Sequence, residues 1–209
     1  MQIEDMNWLN VEEYLKKDDR IILILGACEQ HGYLSLATDT RIPTAIAEKV
    51  SEKTKVLVAP PLNFGISTSF SNFPGTITLR TSTYLDVVED LIKSLFRVGF
   101  RRFMILNGHG GNMNVKAKLH ELLDELPKSR IAFYSWWVEP AVQQVMEKHT
   151  VPGFHANWME AFPFTRVTDL PKGEKTPPQP KRMLNSEEMR QVYGDGVFFG
   201  RARHGEHSA

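Results

Sequence analysis

The hydrophobic positions of the chain alternate between two patterns. Short runs rich in β-branched residues predict buried strands, and longer stretches with apolar residues three and four apart predict helices. Strands are predicted at Arg20–Gly26, Lys55–Ala59, Ile77–Leu79, Arg102–Leu106 and Arg130–Tyr134. Helices are predicted at Thr44–Glu52, Ser82–Val98, Val115–Leu126 and Glu139–His149, with a short one at Ser186–Val192. In the second of these, Leu85, Val88, Leu91, Ile92 and Leu95 share one face, and Gly99 follows as a stop. Pro60 and Pro61 cannot continue the ladder begun at Lys55. Alternation of this kind implies an α/β sandwich with a largely parallel sheet.

Length adds that 209 residues suffice for one domain with its own core, so 1–209 is read as a single unit. Within it, 163–182 is Pro/Lys-rich and predicts an exposed loop, and 200–209 predicts an unstructured tail. Lys+Arg and Asp+Glu are 25 each, so no bulk charge favours nucleic acid or an anionic membrane. The single cysteine, Cys28, excludes an intrachain disulfide framework and fits a reducing compartment. The start of the chain lacks the basic-then-apolar pattern of a signal peptide, and no apolar run is long enough for a membrane helix. A cytoplasmic protein is the expectation.

Candidate chemistry gathers where strands end. The run ILGACEQHGYLSLATD leaves a strand and at once presents Glu29, His31 and Asp39. NGHGGN, from Asn107 to Asn112, follows another strand, and His155 with Glu160 forms a further pair. In open α/β sheets ligands collect beyond the carboxyl ends of the strands. Carboxylates and imidazoles together form a ligand set for borderline cations, and a carboxylate can bridge two of them. The backbone N–H groups of Gly110 and Gly111 could also serve an anionic substrate or oxyanion. Cys28 as a nucleophile ranks below the metal reading, because a cysteine at a strand end more often packs as a small core residue. Trp136, Trp137, Phe154 and Trp158 could wall a planar substrate or simply pack the core.

GACEQHG with LATD, then FPGTITL, NGHGGN and HANWME, in that order, strongly resemble the creatininase (creatinine amidohydrolase) family. The resemblance runs from about Ile21 to Glu160. It implies a three-layer α/β/α sandwich, commonly a hexamer, that binds two divalent ions (zinc, manganese or iron) per chain. It also implies hydrolysis of linear or cyclic amide C–N bonds in small molecules. Carried over by position, Glu29, His31, Asp39 and His109 match metal ligands, with Asp39 the bridge. Glu160 matches a remaining ligand or catalytic acid, and His155 a proton shuttle to the leaving nitrogen.

The chain departs from the family pattern in several places. Gly111 stands where creatininase proper has a glutamate, which argues against creatinine itself as substrate. Ser69-Phe70 replaces the usual Glu-His before FPGT and changes the pocket wall. The loop to Asp39 is shortened, with Tyr33 near the place of a second histidine, and relatives continue beyond GDGVFFG for some tens of residues. The expectation is therefore a di-metal amidohydrolase with a small-molecule substrate and a homo-oligomeric assembly. A metal-dependent hydrolase of a non-amide bond, or an inactive relative that binds a ligand, are the alternatives.

Overall fold

The structure is a computed structural model and describes residues 1–149, 152–176, 178–198 and 200. Its centre is a parallel sheet of β1 (Arg20–Leu25), β2 (Leu57–Val58), β3 (Arg102–Asn107) and β4 (Arg130–Ser135). The spatial order is β2-β1-β3-β4, and the register pairs Leu25 with Asn107 and Asn107 with Ser135. The carboxyl ends of three strands are therefore level. That edge carries the chemistry.

Side-chain alternation along the strands separates two cores. Ile21, Leu23, Leu25, Phe103 and Ile105 face α3 (Thr81–Val98) and α4 (Val115–Glu125), which bury Tyr84, Val88, Ile92, Val115, Leu119 and Leu122 against them. Ile22, Ile24 and Leu106 point the other way and pack against Ala47 and Ile46 of α2 (Thr38–Thr54). This is the α/β/α sandwich. Fully burying an aliphatic side chain is worth about 1.5–3 kcal/mol, so these two layers fix the sheet as a rigid platform.

Several boundaries differ from the hydrophobic pattern. A short helix, α1 (Trp8–Leu15), precedes β1 where no element was predicted; a reciprocal Asn7–Asn10 capping box starts it. α2 begins at Thr38 rather than Thr44, so Asp39 lies in its first turn and not in a loop. Ile77–Leu79 is no strand: Ile77 and Thr78 make only isolated bridges, to Cys28 and Gly65. The helix predicted at Glu139–His149 is shorter, α5 (Pro140–Met146), and α6 runs Ser186–Tyr193. Between 163 and 182 Thr165 is fully buried, while the predicted tail lies outside the described residues except for Gly200. No helix among the described residues is long and apolar enough to cross a membrane.

Candidate metal centre

Six titratable side chains converge beyond the ends of β1 and β3. Glu29 and His31 follow β1, Asp39 opens α2, His109 follows β3, and His155 and Glu160 arrive from a later loop. Their ligand atoms form three groups: Glu29, Asp39 and His109; His31, Asp39 and Glu160; Glu29, His31 and His155. Asp39 belongs to the first two. The five predicted metal residues are therefore brought together and are all buried, and His155, predicted as the proton shuttle, stands with them partly exposed.

Local structure aims each group. Asn107 accepts from the His109 N–H (3.2 Å) and donates to the His109 carbonyl (2.9 Å), fixing the backbone that carries the imidazole. Asn112 donates to the Gly26 carbonyl (3.0 Å) and accepts from the Ile66 N–H (3.3 Å), tying three loops together. The NGHGGN run thus braces the site with both asparagines. Ala156 has a left-handed backbone (φ 60°), and its N–H donates to Glu160 Oε2 at 2.6 Å. Such a conformation in a non-glycine residue costs of order 1–3 kcal/mol, and here it aims Glu160 at the cluster.

The imidazoles are oriented by backbone carbonyls. A carbonyl can only accept, so His31 carries its proton on Nδ1, donating to Glu29 O at 3.0 Å. His109 likewise donates from Nε2 to Ile66 O at 3.0 Å. The inner nitrogens then face carboxylates: His31 Nε2 is 3.0 Å from Asp39 Oδ1 and 3.8 Å from Glu160 Oε2. His109 Nδ1 is 2.7 Å from Asp39 Oδ2 and 3.4 Å from Glu29 Oε2. Asp39 Oδ2 is buried, with His109 Nδ1 its close neighbour. Outer nitrogens anchored and inner nitrogens turned to shared carboxylates is the arrangement of metal-ligating histidines.

Electrostatics follow from this crowding. Burial would lower the His31 pKa, but Asp39 and Glu160 outweigh it and raise it to about 10. Burial likewise opposes, and Asp39 and Glu29 produce, a rise of His109 to about 9. Glu29 and Glu160 are each pushed up to about 7, by burial first and in part by Asp39. Asp39 is held well below the usual carboxylate range, its burial outweighed by His31 and His109. His155 goes the other way: burial, then His31, hold it well below its ordinary value. Among the described residues, the cluster's carboxylates form no ion pair with Lys or Arg. The cations of the metal-free cluster are therefore His31 and His109 themselves, and divalent ions would take over that charge.

The cluster opens into a cavity of about 590 Å³ lined by Ser69, Gly110, Gly111, Phe70, Trp137, Phe154 and Phe198 among others. Three of the predicted substrate residues therefore lie at the site. The fourth does not: Trp158 lines a separate, larger apolar groove of about 1030 Å³ between α2 and α5, together with Trp136. Among the described residues, no carboxylate lines that groove. The three-residue turn at Trp158–Glu160 sends Glu160 into the core and Trp158 to the other side, against His149. Phe70, read from sequence only as a change in the pocket wall, and Phe198, not singled out there, hold the His155 ring, Phe70 stacked on it at 5.2 Å and Phe198 edge-on at 5.0 Å.

A parallel sheet flanked by helices, with an aspartate between two imidazoles at its carboxyl edge, defines an α/β/α fold with a candidate metal centre. Residues 4–208 match the family described as creatinine amidohydrolase, and the chain belongs to this creatininase family. It is similar to creatinine amidohydrolase of Pseudomonas putida, 33% identical over 117 residues, covering 53% of this chain and 45% of that one. It is similar to 3-dehydro-scyllo-inosose hydrolase of Thermotoga maritima, 31% identical over 120 residues (56% and 39% covered). It is also similar to the mycofactocin precursor peptide peptidase of Mycolicibacterium smegmatis, 34% identical over 110 residues (49% and 44% covered). The matched stretches span less than half the length of each of these relatives. Among solved structures, a creatinine amidohydrolase superposes with a TM-score of 0.80 at 26% identity, covering 96% of this chain and 87% of that one. A manganese form of creatininase superposes with a TM-score of 0.77 at 26% identity, covering 96% and 88%.

Proposed function

We propose that this chain is a hydrolase that works through two divalent ions and cleaves a C–N bond in a small, uncharged amide. The observation that carries the reading is Asp39, whose two oxygens face His31 on one side and His109 on the other. Glu29, Asp39 and His109 would hold one ion, and His31, Asp39 and Glu160 the second. Zinc, manganese and iron all suit such a donor set. The ions would supply carbonyl polarisation and an acidified water.

Glu160 takes the place of a ligand that position 111 cannot provide. A Cβ at Gly111 would lie 2.0 Å from the Ile66 carbonyl oxygen, so no glutamate fits there on this backbone. His155 stands on the cavity wall, where it can hydrogen-bond the reacting carbonyl or the leaving nitrogen.

The cavity narrows the substrate. Among the described residues that line it there is no Lys or Arg, which disfavours carboxylate or phosphate substrates, and Phe70, Phe154, Phe198 and Trp137 offer flat apolar surface. About 590 Å³ accommodates a ring with substituents rather than a minimal amide alone. A panel of linear and cyclic amides, with esters and cyclic ketoses as the non-amide arm, tests this with protein loaded with zinc or manganese. Cleavage of an uncharged amide, abolished in Asp39→Ala, is expected. Full occupancy by metal with turnover confined to the non-amide arm, or none at all, would refute the amide assignment.

A further inference from the structure

Gln30 lies between Glu29 and His31 in the chain, and its side chain turns to Gly32, Gly196 and His155. Its side chain is buried and its orientation is determined by backbone partners of fixed character. The Gly32 N–H can only donate, and it donates to Gln30 Oε1 at 3.1 Å. The Gly196 carbonyl can only accept, and it accepts from Gln30 Nε2 at 3.3 Å. The amide therefore cannot be flipped. Its other Nε2 hydrogen is directed at His155 Nε2, 3.0 Å away.

A donor at Nε2 requires a lone pair there. The ring proton of a neutral His155 then sits on Nδ1, the nitrogen 3.9 Å from Glu29 Oε2. Phe70 and Phe198 fix the ring plane on two sides. The segment behind Gln30 is shaped to the amide as well: a Cβ at Gly196, where φ is 87°, would lie 1.9 Å from Gln30 Oε1. Partners that lie 125 and 166 residues away in sequence converge on one carboxamide.

We propose that Gln30 is a positioning residue that fixes His155 as the Nδ1–H tautomer, so that the ring offers a hydrogen-bond donor to the reacting group. The inference rests on the hydrolase reading only for what that donor serves. It assigns His155 to stabilising a developing oxyanion or holding the substrate carbonyl, a role a neutral imidazole fills well, rather than to accepting a proton at Nδ1.

The test is ¹⁵N NMR of histidine-labelled, zinc-loaded protein, with His155 assigned by its loss in His155→Gln. The wild type is expected to show a protonated Nδ1 and a pyridine-like Nε2 at His155. Gln30→Glu, whose carboxylate can only accept, is expected to reverse the two. A wild-type ring protonated at Nε2 overturns the proposal without recourse to any variant, and so does a tautomer unmoved in a folded Gln30→Glu or Gln30→Ala protein. Zinc content of the same samples keeps the readings apart. A wild type that holds no zinc defeats the hydrolase reading, whereas the tautomer spectrum of that sample still decides the role of Gln30.

Discussion

His31 and His109 each spend their outer nitrogen on a backbone carbonyl and turn the inner one toward carboxylates. Without a cation, that inner nitrogen is best occupied by a proton, which is why both pKa values rise, to about 10 and about 9. A divalent ion must displace those protons. Metal affinity is therefore expected to climb between pH 7 and 9, by about tenfold per pH unit for each proton displaced, and to level off above about pH 10. The metal-free protein has the matching stability profile. Because the folded values lie above the ordinary 6.5, the stabilisation from these histidines is complete below about pH 6.5 and disappears as pH rises through 9 and 10. Chelator competition across pH, with thermal unfolding of metal-free protein alongside, measures both. Flat metal affinity from pH 6 to 9 would contradict the ligand assignment. These roles were legible only in part. Residue types after strand ends pointed to metal, but Gln30 and Phe198 act through neighbours far along the chain, and no local spacing encodes that.

At the scale of elements, α2 shows both how the site is built and why its start was hidden. Pro43 sits inside the helix, a residue that normally ends one, and Ala37 at the N-cap makes no side-chain cap. Pattern alone therefore starts the helix at Thr44 and leaves Asp39 in a loop. Proline has no N–H, so the Asp39 carbonyl four residues earlier lacks its helical partner. The end of β3 presses against that carbonyl: a Cβ at Gly108 would lie 1.9 Å from Asp39 O and 2.7 Å from Pro43 Cγ. A glycine and a proline thus lock the start of one element onto the end of another. The central strands were legible because their apolar runs are buried on both faces, and α3 because its stripe is regular. Gly108→Ala is expected to keep the helical circular dichroism signal but push α2 and Asp39 outward. Metal binding should weaken roughly ten- to a hundredfold, as for other supports of a ligand. Unchanged metal binding in that variant would show that this contact does not position Asp39.

The whole molecule is a rigid parallel sheet with two apolar layers and a charged carboxyl edge. The candidate ligands after β1 and β3, in α2 and in the loop through Glu160 are brought together only when the sheet is assembled, so metal binding is expected to be coupled to folding. Family membership and the creatininase-like fold agree with this arrangement, while the substrate is set by the cavity walls rather than by the fold. The dinuclear centre is the central claim, and metal content per chain tests it most directly. Elemental analysis of purified protein, reconstituted separately with zinc, manganese and iron, should give near two ions per chain, both lost or much weakened in Asp39→Ala. Little or no metal in the reconstituted wild type, or two ions retained by Asp39→Ala, would contradict the account.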